Sequence, residues 1–390
     1  MRMRIKDFTT KVGSGVTPKG GATAYQDHGI PLFRSQNITN EGLLTDDIAY
    51  ISEDIHNSMS GSKLRPNDVL LNITGASIGR CYYLPEDFTE GNVNQHVCII
   101  RLKKNVLPAF LYYNLISATG QRLIDRCQTG ANREGLTKED LCNFEFEIPS
   151  IERQKGIVKY LNEKNSLITN QVSLLTSKRD AYLRLKKSII NRAVTKGLNP
   201  DVQMKDSGVD WIGMIPEGWK VVHMKRALSF NNGRDYKNIE VDEGYPVIGS
   251  GGQFAYASEY LYDGEAILFG RKGTIDKPMH INDKFWTVDT MFYATPKSNA
   301  YGRYLYYQAT AMPLNKYSTQ TALPSMTQTS LQNILICFPP LSEQQAIAAY
   351  LDEKCSKIDT IVANLDKQIS KYADLKRSLI DEVITGKRAV

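Results

Sequence analysis

Residues 148–195, IPSIERQKGIVKYLNEKNSLITNQVSLLTSKRDAYLRLKKSIINRAVT, and residues 338–385, FPPLSEQQAIAAYLDEKCSKIDTIVANLDKQISKYADLKRSLIDEVIT, align without a gap at an offset of 190, and about a third of the positions are identical. Pro149 falls on Pro339, Gln154 on Gln344, and Tyr160, Leu161, Glu163 and Lys164 on Tyr350, Leu351, Glu353 and Lys354. A fixed offset sustained over such a length marks a duplication. Working outward, Thr137, Leu141 and Asn143 fall on Thr327, Leu331 and Asn333. With a small gap, FLYYNL from Phe110 meets YLYYQA from Tyr304, and DVLLNITGASIGR from Asp68 meets EAILFGRKGTIDK from Glu265. The repeated unit is therefore a mixed domain followed by a helix.

Within the quoted stretches Leu161, Ile168, Leu175, Tyr182 and Ile189 recur every seven residues, and Leu351, Ile358, Leu365, Tyr372 and Leu379 repeat the pattern. A seven-residue apolar period makes a narrow seam that another helix must cover, and two such helices in one chain most economically cover each other. Lys164, Gln171, Lys178 and Gln368 fall on or near the seam, so a modest coiled coil is expected rather than a strict zipper. Pro149-Ser150 and Pro339-Pro340 read as start signals, and Thr195-Lys196-Gly197 and Thr385-Gly386-Lys387 as stops. Roughly 43 residues at about 1.5 Å each give a rod of about 65 Å, long enough to hold two domains apart.

The remaining segments carry short β-branched and aromatic runs, DVLLNIT, HVCIIRL, YPVIGS, EAILFG and TMFYAT, separated by glycine-rich turns. They lack the strand and helix alternation of a nucleotide-binding fold. The expected class is α+β: two mixed α/β domains, residues 1–147 and 199–335, joined by two long antiparallel coiled-coil helices within residues 148–198 and 336–390.

Bulk properties narrow the function classes. The 390 residues are 42% hydrophobic and 23% charged, which describes a globular protein, and the N-terminal MRMRIKDFTTKVGSG has no apolar signal segment. No apolar run approaches the roughly 18 residues of a membrane span, so a cytoplasmic location is expected. Cys81, Cys98, Cys127, Cys142, Cys337 and Cys355 include no C-x-x-C pair, and the five histidines do not fall at metal-ligand spacing; reduced structural thiols and no metal follow. A net charge of +6 suits a polyanionic partner but does not by itself select one.

The chain resembles the specificity subunit of type I restriction-modification systems. KDSGVDWIGMIPEGWKV from Lys205 looks like the lead-in of that family's target-recognition domains, YPVIGSGGQFAYASEYLYDGEAILFGRKGTIDKP resembles the domain body, and FPPLSEQQAIAAYLDEK looks like the start of its long helix. PLFRSQNI, TGASIGR and IPSIERQKGIVKYLNEK are the matching pieces of the first unit, which lacks the tryptophan-rich lead-in. The resemblance implies that each domain reads half of a split double-stranded DNA site, that the helices set the spacing, and that two methyltransferase subunits are recruited. Those subunits would hold S-adenosylmethionine and methylate adenine N6, while a separate motor-nuclease subunit, where one accompanies them, would use ATP and magnesium. The chain itself would bind no cofactor and catalyse nothing.

DNA readers use basic side chains on phosphates and forked donors or amides on base edges. In the first domain Arg34, Ser35, Gln36 and Asn37, then Ser77 and Arg80, then Asn92, Asn94 and Gln95, and Thr129-Gly130-Ala131-Asn132-Arg133 offer this chemistry. In the second domain the candidates are Asn231, Asn232, Arg234, Tyr236, Ser250, Arg271, Lys272, Ser318, Thr319 and Gln320. Each is also a residue type that satisfies its own turn, and Arg34, Arg271 and Lys272 are the favoured contacts. The GSGG and TGAS glycines read as turn formers, because the G-K-[ST] ending of a phosphate loop is missing. His96 lies in an apolar run and reads as a hydrogen-bonded core residue. Lys178, Arg179, Arg184, Lys186, Lys187, Lys376 and Arg377 are read as solvating the helices, with spacer phosphates as the alternative.

Two rival functions remain open. A self-sufficient adenine methyltransferase needs an N-P-P-Y or D-P-P-Y type motif to grip the flipped base, and Phe338-Pro339-Pro340-Leu341 supplies neither the polar nor the aromatic end. A coiled-coil adaptor with two protein-binding modules would share the same frame and would lack salt-dependent DNA affinity.

Overall fold

The computed structural model describes residues 1–128, 135–319 and 324–390, and the chain divides into two compact units. The first comprises Met1–Leu175 with Gln368–Val390; the second comprises Thr176–Lys367. Each unit thus contains one mixed domain and segments of both long helices, Ile151–Lys196 and Leu341–Ile384. Among the described residues no helix is long and apolar enough to cross a membrane.

In the first unit four antiparallel strands run in the order Thr9–Ser14, Val97–Leu102, Val69–Asn72, Cys81–Tyr83. A second sheet orders Ala49–Ile51, Ile30–Phe33, Asn92–Val93, with Leu32 and Phe33 pairing in parallel with Asn92 and Val93. In the second unit the corresponding strands form one seven-stranded sheet, because the nine-residue strand Met279–Thr287 pairs along Tyr262–Gly270 and then in parallel with Val247 and Ile248. The first unit interrupts that run with the segment Leu84 to Gly91, whose Pro85 can donate no ladder hydrogen bond. One interruption splits an otherwise equivalent sheet in two.

Both domains close by pairing an early strand with the strand that leads into the long helix: Arg2–Arg4 with Glu145–Glu147, and Lys220–His223 with Leu335–Phe338. Past that strand the helix is clasped by a buried glutamine. Gln154 accepts from the Leu107 amide at 2.9 Å and donates to the Asn105 and Pro149 carbonyls; Gln344 accepts from the Tyr301 amide at 2.8 Å and donates to the Pro339 carbonyl. Buried polar groups must be paired, so these amides fix the angle at which the helix leaves the domain. Each helix ends at a glycine in the left-handed region, Gly197 (φ 73°) and Gly386 (φ 74°), where a side chain would be strained.

Burial along the seam is uneven. Leu161, Ile168, Leu351, Ile358, Leu365 and Leu379 are buried, whereas Leu175, Tyr182, Ile189 and Tyr372 are half-buried. Lys164, Gln171, Lys178 and Gln368, placed on or near the seam by spacing, are exposed. The charges that flank the contact are Arg179, paired to Asp366 at 3.3 Å, and Lys186, paired to Asp359 at 2.6 Å. Residue numbers rise on one helix as they fall on the other, so the segments in this unit are antiparallel. The domain-facing turns differ in kind: Ile157, Leu161 and Ile168 join Phe110, Leu379, Ile380 and Val383 in the first core, and Ile190, Ala193, Val194 and Leu351 join Trp219 and Tyr304 in the second. The described cysteines are free, and burial pushes the Cys98 and Cys337 thiols up to about 12, so they stay protonated packing groups.

Candidate nucleic-acid interface

In the first unit three of the predicted loops converge at the ends of neighbouring strands. Asn72 donates to the Ser35 carbonyl at 2.7 Å, the Asn94 amide donates to the Phe33 carbonyl, and Thr74 and His96 share a 2.5 Å hydrogen bond. Ser35, Gln36, Ser77, Arg80 and Gln95 therefore lie on one rim, with Gln36, Arg80 and Gln95 exposed. Thr17, which hydrogen-bonds Gln95, joins them; nothing in its own sequence neighbourhood singles it out.

Several predicted contacts hold the rim instead of forming its outer face. Asn37 is buried, accepting from the Arg34 amide and donating to the Leu44 and Asp47 carbonyls. Asn92 is wholly buried and bound to His56, Ser62 and Met59, and Asn94, 7% exposed, accepts from the His96 amide. These three are buried, so the structure places them beneath the exposed rim and not on it, against the expectation of DNA contact. Arg34 is partly committed, donating to the Asp47 carbonyl and carboxylate at 2.9 and 3.1 Å, beside the Tyr25 ring. His96 departs from its core reading in the other direction: it is half-buried on the rim, between Thr74 and Gln95. Residues 129–134, with Asn132 and Arg133, lie outside the described residues.

The second unit gathers Asn232, Arg271 and Lys272 around a cavity of about 340 Å3, together with Ser325, Thr327 and Gln328. The peptide groups explain the gathering. The Arg271 amide donates to Thr290, the Met326 amide to the Arg271 carbonyl, and Gly273 to Pro324, so the loop Arg271–Lys272 is sewn between two others. Arg271 and Lys272 are both exposed, with the Arg271 guanidinium over the Phe292 ring. Thr319 meets Ser325 through Oγ1–Oγ at 2.8 Å, and Ser318 caps its own turn by donating to Asn315. Arg234 is exposed, and its backbone is pinned by Thr287 and the Trp286 indole. Asn231 is half-buried, and Gln320 lies outside the described residues. Ser325, Thr327 and Gln328 escaped the sequence reading because the Arg271–Lys272 loop they border is distant in the chain.

A second duplicated feature lies between domain and helix within each unit. Tyr113 donates to Asn162 at 2.6 Å beside a groove of about 380 Å3 that Tyr112, Asn165 and Lys376 also line. At the matching place Tyr307 donates to Asp352 at 2.6 Å beside a groove of about 630 Å3 with Tyr306, Cys355 and Lys186. Burial pushes the Asp352 carboxyl up, but hydrogen bonds from Arg303 and Tyr307 outweigh it and hold the group below the usual carboxylate range. Among the described residues no three or more His, Cys, Asp and Glu side chains are gathered as a metal site requires.

Two mixed domains on duplicated helices, each with a polar rim, define a two-module recognition protein. The family model for the type I restriction modification DNA specificity domain matches residues 1–174 and again 216–371, and the chain belongs to that family. It is 24% identical to the type I restriction enzyme EcoprrI specificity subunit of Escherichia coli over 90% of this chain and 86% of that one. Against the MjaVIII specificity subunit of Methanocaldococcus jannaschii the identity is 22% over 82% and 79%. Among solved structures, a chain from work on complex assembly and conformational transition of the type I R-M system superposes with a TM-score of 0.72 at 15% identity, covering 98% of this chain and 97% of that one. The HsdS subunit from Thermoanaerobacter tengcongensis gives 0.50 at 16%, covering 100% and 97%.

Proposed function

We propose that this chain is the DNA-reading subunit of a type I restriction-modification complex that recognises an asymmetric, two-part site. Each domain reads one half through its rim, the helices set the gap, and two methyltransferase subunits are recruited for adenine N6 methylation. S-adenosylmethionine belongs to those subunits, and ATP and magnesium to a motor-nuclease subunit in complexes that restrict. The observation that carries this reading is duplication with selective divergence: the glutamine clasps and tyrosine pairs recur, whereas Arg34-Ser35-Gln36-Asn37 in one rim becomes Gly249-Ser250-Gly251-Gly252 in the other. A frame kept constant under two different rims suits two different half-sites. The duplicated grooves beside Tyr113 and Tyr307 are candidate seats for two copies of one partner.

Base-edge contacts in this reading come from Gln36, Arg80 and Gln95 in the first unit and from Asn232, Arg234, Arg271 and Lys272 in the second, with Arg34 shaping its turn. The test is to express the chain with its neighbouring methyltransferase in a host free of adenine methylation and sequence the modified DNA. A single gapped motif that needs both proteins is expected. Methylation by this chain alone, or none from an intact and competent complex, overturns the reading.

A further inference from the structure

Phe254 is the one exposed phenylalanine among the described residues, at 56%. Single exposed apolar side chains are ordinary, but this ring is built into a surface. It stands edge-on to Tyr236 with centroids 5.3 Å apart, and the Lys237 ammonium lies 4.8 Å from the centre of the Tyr236 ring. Beneath it is Gly249, where a Cβ would meet the ring at 3.1 Å, so the glycine lets the phenyl group lie close across the ribbon. That ribbon is two antiparallel strands, Tyr245–Gly249 and Gly252–Ala257, turning at Ser250-Gly251. Ser250 Oγ in turn lies 3.9 Å from where a Cβ on Gly273 would stand, next to Arg271 and Lys272. The ring is continuous with the cationic rim of the second unit.

We propose that Phe254 reads a thymine in the half-site of the second domain by packing against its C5-methyl group. The major groove admits a two-stranded ribbon, and the thymine methyl is its apolar feature. A phenyl ring can cover that methyl without stripping a hydrogen bond from any base edge, and the neighbouring Arg271 and Lys272 supply the charge that brings the ribbon to the phosphates. The equivalent turn of the first unit, Arg34-Ser35-Gln36-Asn37, is polar and anchored by buried Asn37. This assignment rests on the proposed DNA-reading function, and it names a specificity residue that neither the residue types of the rim nor the duplication singles out.

The experiment first maps the methylated motif with the wild-type complex; absence of a gapped motif there removes the DNA-reading function itself and this inference with it. Synthetic duplexes of the motif are then made with each thymine replaced in turn by uracil, and specific binding is measured for the complex carrying wild-type chain, Phe254→Ala or Phe254→Leu. At one position the loss of the methyl should weaken wild-type binding about four-fold, the value of one buried methyl group, and should cost Phe254→Ala nothing more. Phe254→Leu, which keeps an apolar side chain over Gly249, guards against misfolding and should retain part of the discrimination. Uracil effects that are the same in wild-type and both variants, or a second-domain half-site without thymine, overturn the assignment.

Discussion

The two units share a plan and differ in how they are finished. In the second, one long strand, Met279–Thr287, stitches seven strands into one sheet, and Trp219, 2% exposed and donating to Glu343 at 2.9 Å, plugs the junction of domain and helix. In the first, the Pro85 segment breaks the sheet, and a partly buried ion pair ties the domain, half-buried Arg101 donating to the fully buried Asp68 at 2.7 Å through two nitrogens. The contrast teaches that the duplication preserved the glutamine clasp and the tyrosine contact where helix and domain join, while each domain filled the rest of its packing in its own way. A sheet tolerates a split where its two parts still bury a common face, but a helix with unpaired backbone groups at its root has no such alternative.

The largest test of this contrast removes the plug. Trp219→Ala should cost about 3–5 kcal/mol, as loss of a buried indole does. Hydrogen exchange should then accelerate in the second unit, around Val194, Tyr304 and Ile347, and leave the amides around Phe110 and Ile157 protected. Equal loosening of both would show that the units do not pack independently. Next come the clasps. Gln154→Leu and Gln344→Leu each leave buried backbone groups unpaired and should cost about 1–3 kcal/mol, by similar amounts, read as lowered denaturant midpoints. A large effect from one and none from the other would break the equivalence of the two joints.

The smallest effect concerns a position where the copies diverge chemically. Asn162 accepts from Tyr113 and cannot titrate, whereas Asp352 accepts from Tyr307 and Arg303 and has its carboxyl held below the usual range. A depressed folded-state pKa contributes stability that is present above the ordinary carboxylate pKa and is lost as pH falls through the lowered one. Acid below about pH 4 should therefore loosen the second groove before the first, modestly because Asp352 is partly exposed to solvent. Asp352→Asn should abolish the difference, measured as exchange at Arg303–Tyr307 against Tyr112–Tyr113.

Much of the rim was legible and much was not. Arg80, Gln95, Arg271 and Lys272 are exposed, as their polar loop settings in the sequence suggest, and their contact with DNA is part of the proposed function. Asn37 and Asn92 carry the same kind of amide as Gln36 and Gln95 but are buried where those are exposed, and no local pattern separates an amide that faces outward from one that ties a turn. Ser325, Thr327 and Gln328 join Arg271 only through backbone hydrogen bonds across more than fifty residues of chain. Phe254 lies in an alternating run that reads as an ordinary strand.

By itself the sequence determined the duplication, the two long helices with their glycine stops, and the order of domain and helix, because these rest on periodicity and on local backbone chemistry that each segment carries within itself. Only the tertiary structure decided that one sheet is split and the other continuous, which seam positions are dry, and which polar side chains are spent on the fold. Those outcomes depend on which distant groups reach a given amide or ring first, and burial, unlike periodicity, is a property that no segment possesses alone.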